Sequence, residues 1–179
     1  AKNLTIKEAQ KEDGTTNVIK PNEILFASTG VIGEKFPTQK IKSSIPNLVD
    51  KLRDKHNKFV WFKAASSIMT TDTRPKLAYE ECRLWNKDIR ISAIAKGSGM
   101  IAPNMATMLS FICTDANLSK SVMGKISKEI VDLSFNSITV DGDTSTSDTV
   151  LFFATGKAKN KIVLNHDSEK LFHFKNTLL

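Results

Sequence analysis

Ile89-Arg90-Ile91-Ser92-Ala93-Ile94-Ala95-Lys96-Gly97-Ser98-Gly99 carries the clearest structural signal in this chain of 179 residues. Ile89, Ile91 and Ala93 alternate with Arg90 and Ser92, the period of a strand. The strand runs into Lys96-Gly97-Ser98-Gly99-Met100 and a turn signal at Pro103-Asn104, and a second apolar run begins at Met108.

Downstream, Val122, Met123, Ile126, Ile130 and Leu133 have the spacing of an amphipathic helix starting at Ser119. Asp141-Gly142-Asp143 predicts a sharp turn before the strand-like Val150-Leu151-Phe152-Phe153, and residues 167–179 read as a helix without a capping signal at its end. Upstream, a helix is expected from Pro46 to about Lys55, with Leu48, Val49 and Leu52 on one face. Ile24-Leu25-Phe26-Ala27 reads as a buried strand stopped by Ser28-Thr29-Gly30, and residues 4–12 as a helix ending at Asp13-Gly14. Strands mixed with helices predict an α/β or α+β layered sandwich, and the length favours one domain with a real core.

Composition narrows the function classes. Apolar residues make up 40% and charged residues 25%, ordinary for a soluble globular protein. No apolar run approaches the roughly 18–20 residues of a membrane span, and the polar start Ala1-Lys2-Asn3-Leu4-Thr5 has no signal-peptide core, so a cytoplasmic location is expected. The net charge of +7 is spread along the chain without aromatic-basic interleaving, the pattern of a solvated lysine surface rather than a nucleic-acid interface. Cys82 and Cys113 are too few and too far apart for a disulfide framework or zinc site; Cys113, in an apolar run, reads as a buried, inert thiol. His56, His166 and His173 have no metal-ligand spacing, and no metal is expected. Gly97 and Gly99 could cradle a phosphate, but the Gly-Lys-Ser/Thr of a P-loop and the third glycine of a dinucleotide loop are missing. On loop chemistry alone the segment is a turn between strands.

Lys-Gly-Ser-Gly-Met-Ile-Ala-Pro-Asn-Met-Ala-Thr-Met-Leu at 96–109 resembles the cleavage-site signature of the ornithine acetyltransferases, also called glutamate N-acetyltransferases. Three further segments agree with that family in its order: 27–33 (Ala-Ser-Thr-Gly-Val-Ile-Gly), 68–73 (Ile-Met-Thr-Thr-Asp-Thr) and 139–149 (Thr-Val-Asp-Gly-Asp-Thr-Ser-Thr-Ser-Asp-Thr). The resemblance implies an N-terminal-nucleophile-like, DmpA-like fold, present in part. It also implies a precursor that cuts itself between Ala106 and Thr107, so that 1–106 would close the α piece and 107–179 open the β piece.

By the same resemblance, Thr107 is the nucleophile, Thr29 (side chain) and Gly30 (backbone N–H) form the oxyanion hole, and Thr73, Lys96 and Thr107 bind substrate. The implied reaction moves an acetyl group from N-acetylornithine to glutamate through an acetyl-threonine, in arginine biosynthesis. No cofactor is implied, although some members accept acetyl-CoA as donor, and the family assembles as a heterotetramer of two α and two β pieces. Without the resemblance, Lys96 would be a solvated lysine and Thr73, beside Arg74-Pro75, a turn residue. Asp141, Asp143 and Asp148 lack the glycine and distal glutamate of a calcium loop and read as hydrogen-bonding turn residues that shape the site.

The family's proteins are longer at both ends. Its Gly-Glu-Gly segment, whose glutamate contacts substrate, and its C-terminal asparagine and hydroxyl residues have no counterpart here, so slow or absent self-cleavage is expected of this chain alone. Two other classes remain open at this point: a self-cleaving aminopeptidase or amidohydrolase, and a non-catalytic basic binding module.

Overall fold

Periodicity becomes a sheet in the computed structural model, which describes residues 9–10, 16–17, 20–30, 33–51, 58–99, 108–140, 142 and 147–179. The chain divides into two compact units, 1–56 and 57–179. In the first, β1 (Ala9–Gln10) pairs antiparallel with β2 (Thr16–Asn17), a 3-10 turn covers Pro21–Glu23, and α1 spans Thr38–Lys51.

The first unit corrects three expectations. Ala9 and Gln10 are strand, not helix; Asp13-Gly14 between the paired segments is as much a hairpin signal as a helix stop. Residues 4–8 and 11–15 lie outside the described residues. Ile24-Leu25-Phe26-Ala27 forms no strand, and Leu25 and Phe26 are exposed, because no described strand of this unit pairs with the run. The helix expected from Pro46 begins at Thr38 and carries Pro46 inside it, where the ring removes one backbone donor. Ser43 and Ser44 donate to the Lys40 carbonyl (2.9 Å each) in the preceding turns, Leu48 is exposed and Val49 half-buried. Leu52 lies outside the described residues.

The second unit is built on four strands, β3 (Lys76–Leu84), β4 (Lys87–Lys96), β5 (Leu109–Thr114) and β6 (Thr149–Ala154), in that spatial order. β3–β4 and β4–β5 are antiparallel, whereas β5 and β6 are parallel and joined through α3 (Lys120–Leu133), as a parallel pair requires a crossover. α2 (Lys58–Ser67) precedes the sheet and packs on β3 and β4; a 3-10 turn at Glu169–Leu171 leads into α4 (Phe172–Leu178), which packs on β3.

Alternation assigns the faces. Leu84, Ile89, Ile91 and Ile112 join Val122, Ile126 and Ile130 of α3 and Leu171 and Phe174 near the chain end in one buried cluster. Each such side chain contributes on the order of 1.5–3 kcal/mol on burial. Ile94 and Leu109, out of phase with that cluster, are buried on the opposite face. Ser119 caps α3 by accepting from the Val122 N–H (3.3 Å), and Glu129 of α3 takes Lys175 of α4 (2.8 Å) and His166 (2.9 Å).

The expected strands at 89–93 and 150–153 and the helix from Ser119 are therefore present, as is the mixed α/β layering. Cys113, on the Leu109 face of β5, is half-buried rather than buried; what burial it has raises its thiol pKa and keeps it protonated. Among the described helices none is long and apolar enough to cross a membrane.

Candidate functional site

Where β4 ends, Gly97 takes a backbone that other residues adopt only under strain, with φ +140°. Both of its polar backbone groups are tied to the segment that links α2 to β3. Its N–H donates to Asp72 Oδ1 (2.9 Å), and its carbonyl accepts from Lys76 Nζ (2.8 Å). Asp72 also accepts from the Thr70 N–H (3.4 Å) and pairs with Lys76 Nζ. Burial alone would push the Asp72 carboxyl up, but the hydrogen bonds from Lys76, Gly97 and Thr70 outweigh it and hold the group below its usual value.

Lys96 is the neighbour this bracket fixes. It is only 3% exposed, against the solvated lysine that its charge alone predicts. Its Nζ donates to Thr70 Oγ1 (3.1 Å), and among the described residues no carboxylate lies within ion-pair distance of it. A buried ammonium satisfied by one neutral hydroxyl is a costly arrangement unless an anion completes it.

Across the ladder from Lys96 lies Leu109, and Met108 before it is held at both backbone groups. Its N–H donates to Asp148 Oδ1 (2.5 Å), and its carbonyl accepts from the Thr149 N–H (3.0 Å). Asp148 is thus hydrogen-bonded, as expected, but its bond reaches a backbone forty positions away instead of closing a local turn. Its second oxygen is buried and has no hydrogen-bond partner among the described residues; burial raises its pKa, partly offset by the Met108 N–H.

Lys76, Lys96, Gly97 and Met108 line a cavity of about 330 Å³, together with Thr73 and Ser98 and with Phe135, Ile138 and Val140 supplying an apolar side. Two ammonium-bearing residues and two hydroxyls beside an apolar wall suit a small anionic metabolite of amino-acid size. The structure thus brings Thr73 and Lys96 together as walls of one cavity. Thr29, half-buried, and Gly30, exposed, belong to the unit 1–56; the left-handed bend there falls at Gly33 (φ +90°), not at Gly30. Ala106 and Thr107 lie outside the described residues, as do Asp141 and Asp143, while Gly142 between these two bends at φ +80°. Asp72 stood inside a matched motif without a role, and Lys76 stood outside every motif; neither spacing nor residue type marks a pair that meets Gly97 more than twenty positions away.

Residues 4–179 match the model of the ArgJ family. The arginine biosynthesis bifunctional protein ArgJ of Bartonella quintana (strain Toulouse) is 52% identical over 141 residues, covering 79% of this chain and 33% of that protein. The protein of the same name from Mesorhizobium japonicum is 46% identical over 158 residues, 88% of this chain and 36% of its own length. That of Neisseria meningitidis serogroup A is 50% identical over 139 residues, 77% and 32% respectively. The chain spans about a third of the length of the curated relatives it matches.

Proposed function

The chain belongs to the ArgJ family, and from that premise we propose that it carries the nucleophile of an acetyl transfer in arginine biosynthesis. The donor is N-acetylornithine and the acceptor glutamate, with acetyl-CoA a further donor where the pocket admits it. The fold of the whole protein is the N-terminal-nucleophile-like, DmpA-like sandwich, to which residues 57–179 contribute the mixed sheet. In this reading the protein is a cytoplasmic enzyme without a metal or cofactor of its own.

The observation that carries the reading is the buried Lys96 ammonium. It lacks a carboxylate partner among the described residues and stands with Thr73 and Met108 in one cavity wall. An α-carboxylate is the anion it awaits. Met108 is bonded to Thr107, so the proposed nucleophile is covalently adjacent to a wall residue of that cavity.

A threonine hydroxyl needs a base. Cutting Ala106–Thr107 creates one, since an α-amine with a pKa of about 7.7–8.0 is partly neutral near pH 7.5. In the precursor, Thr107 Oγ attacks the Ala106 carbonyl, the acyl group moves from nitrogen to oxygen, and water releases residues up to 106 as the α piece. In the mature enzyme Oγ attacks the acetyl carbonyl of N-acetylornithine; ornithine leaves with the proton, and the glutamate amine then takes the acetyl group and restores the hydroxyl. Thr29 and the Gly30 N–H serve as donors to the oxyanion, a contribution of about 3–4 kcal/mol per donor in such sites. The pieces assemble as a heterotetramer of two α and two β chains.

The test uses the full polypeptide its gene encodes. Thr107→Ala is expected to give one uncut chain by intact mass and to lower acetyl transfer on the order of a millionfold. Ornithine released from N-acetylornithine at the same rate without glutamate would replace the transferase with a hydrolase. Unchanged cleavage in the variant would remove Thr107 from the mechanism.

A further inference from the structure

Lys76 has no part in the transfer as described so far. It opens β3, its Nζ is held by Asp72 and by the Gly97 carbonyl (2.8 Å), and yet its side chain is 48% exposed. It stands in the wall of the same cavity as Thr73 and Lys96. An ammonium has three N–H donors. Asp72 and Gly97 take two, and the third has no partner among the described residues.

The inference rests on the acetyl transfer proposed above. A ping-pong route asks one cavity to accept two amino acids in turn. They share an α-carboxylate, which suits Lys96, and differ at the far end of the side chain. N-acetylornithine ends in an ammonium, glutamate in a second carboxylate. Lys96, Lys76 and Asp72 together carry one net positive charge, enough for the shared carboxylate. The Asp72–Lys76 pair is neutral as a whole, so it tolerates the ornithine tail. When glutamate enters, the third N–H of Lys76 can donate to its tail carboxylate without breaking the bonds to Asp72 and Gly97.

We propose that Lys76 binds the side-chain carboxylate of glutamate and makes the cavity selective for a dicarboxylic acceptor. Lys76 is therefore a specificity residue whose free N–H acts in the second half of the reaction.

The two halves can be measured separately in the full-length protein. The first is acetylation of the enzyme by N-acetylornithine, followed by ornithine release and intact mass. The second is discharge of the isolated acetyl-enzyme by increasing glutamate. Lys76→Met is expected to lower the glutamate dependence of the second by roughly ten- to a hundredfold more than it slows the first, the loss of one charge-assisted contact. Lys76→Arg is expected to restore most of it. Because Lys76→Met strands the buried Asp72, the double variant Asp72→Asn/Lys76→Met removes both charges together and should show the same selective defect. Equal losses in both halves for the double variant make Lys76 a strut of the Gly97 bend and overturn the inference. An unchanged glutamate dependence overturns it as well. Failure of the unmutated protein to acetylate at all instead removes the transferase reading, and this inference with it.

Discussion

Asp148 shows how one carboxylate divides its work. One oxygen receives the Met108 N–H at 2.5 Å, and the other is buried without a partner among the described residues. Burial raises its pKa above the usual carboxylate value. A raised acid binds more protons folded than unfolded, so this group opposes stability as pH rises through the window between its ordinary pKa and its folded one. Asp148→Asn keeps the acceptor and removes the charge, so stability at pH 7 should hold or rise, and its gain should vanish in acid below the ordinary carboxylate range. Asp148→Ala strands the Met108 N–H and should cost about 1–2 kcal/mol. Urea titrations of both variants at pH 7 and pH 3 decide it; a loss in Asp148→Asn as large as in Asp148→Ala would refute the charge argument. Asp148 was legible as a hydrogen-bonding residue by its type, but its partner was not, because Met108 lies forty positions away in the chain. Lys96 was legible only through a motif, since a lysine's burial depends on what the fold puts over it. Asp72 and Lys76 were not legible as a site, because Gly97 reaches them through tertiary structure alone.

Among the elements, β4 and α3 were readable because each sets apolar residues against a core with the period its backbone imposes, and β6 because it is a short unbroken apolar run after a turn signal. β3 was not. It is an edge strand with most of its side chains exposed, and it meets β4 through Trp85-Asn86, a two-residue turn without the glycine that usually announces one. Trp85 takes φ +53° there, with the Lys170 ammonium 5.5 Å from its ring centroid. The segment after β6 was equally silent. It is fastened by Asn160, whose Oδ1 accepts from the Asn117 N–H (2.7 Å) and whose Nδ2 donates to the carbonyls of Lys161 (2.9 Å) and Asn117 (3.3 Å). Asn160 is buried, so Asn160→Ala leaves the Asn117 N–H without its acceptor. A loss of about 2–4 kcal/mol is expected, seen as a lower thermal midpoint. A midpoint equal to that of the parent would mean the loop is held by the Leu118–Val163 bridge instead.

For the molecule as a whole, the α/β layering followed from strand patterns mixed with helical periodicity, whereas the spatial order of the strands did not. A parallel β5–β6 pair beside two antiparallel ones is set by how far α3 carries the chain, and no local pattern encodes that distance. This order has a bearing on the proposed division at 106–107. β3 and β4 would fall in the first piece and β5 and β6 in the second, with six residue pairs of the β4–β5 ladder running across the division. The two pieces are expected to travel together in gel filtration at neutral pH and to part only in denaturant; separation in plain buffer would argue against a division at that bond. Met108, gripped by Asp148 on one side and Thr149 on the other, gives that ladder a fixed post. A chain end created at Thr107 would start life one peptide unit from that post, moored before it had any chemistry to perform.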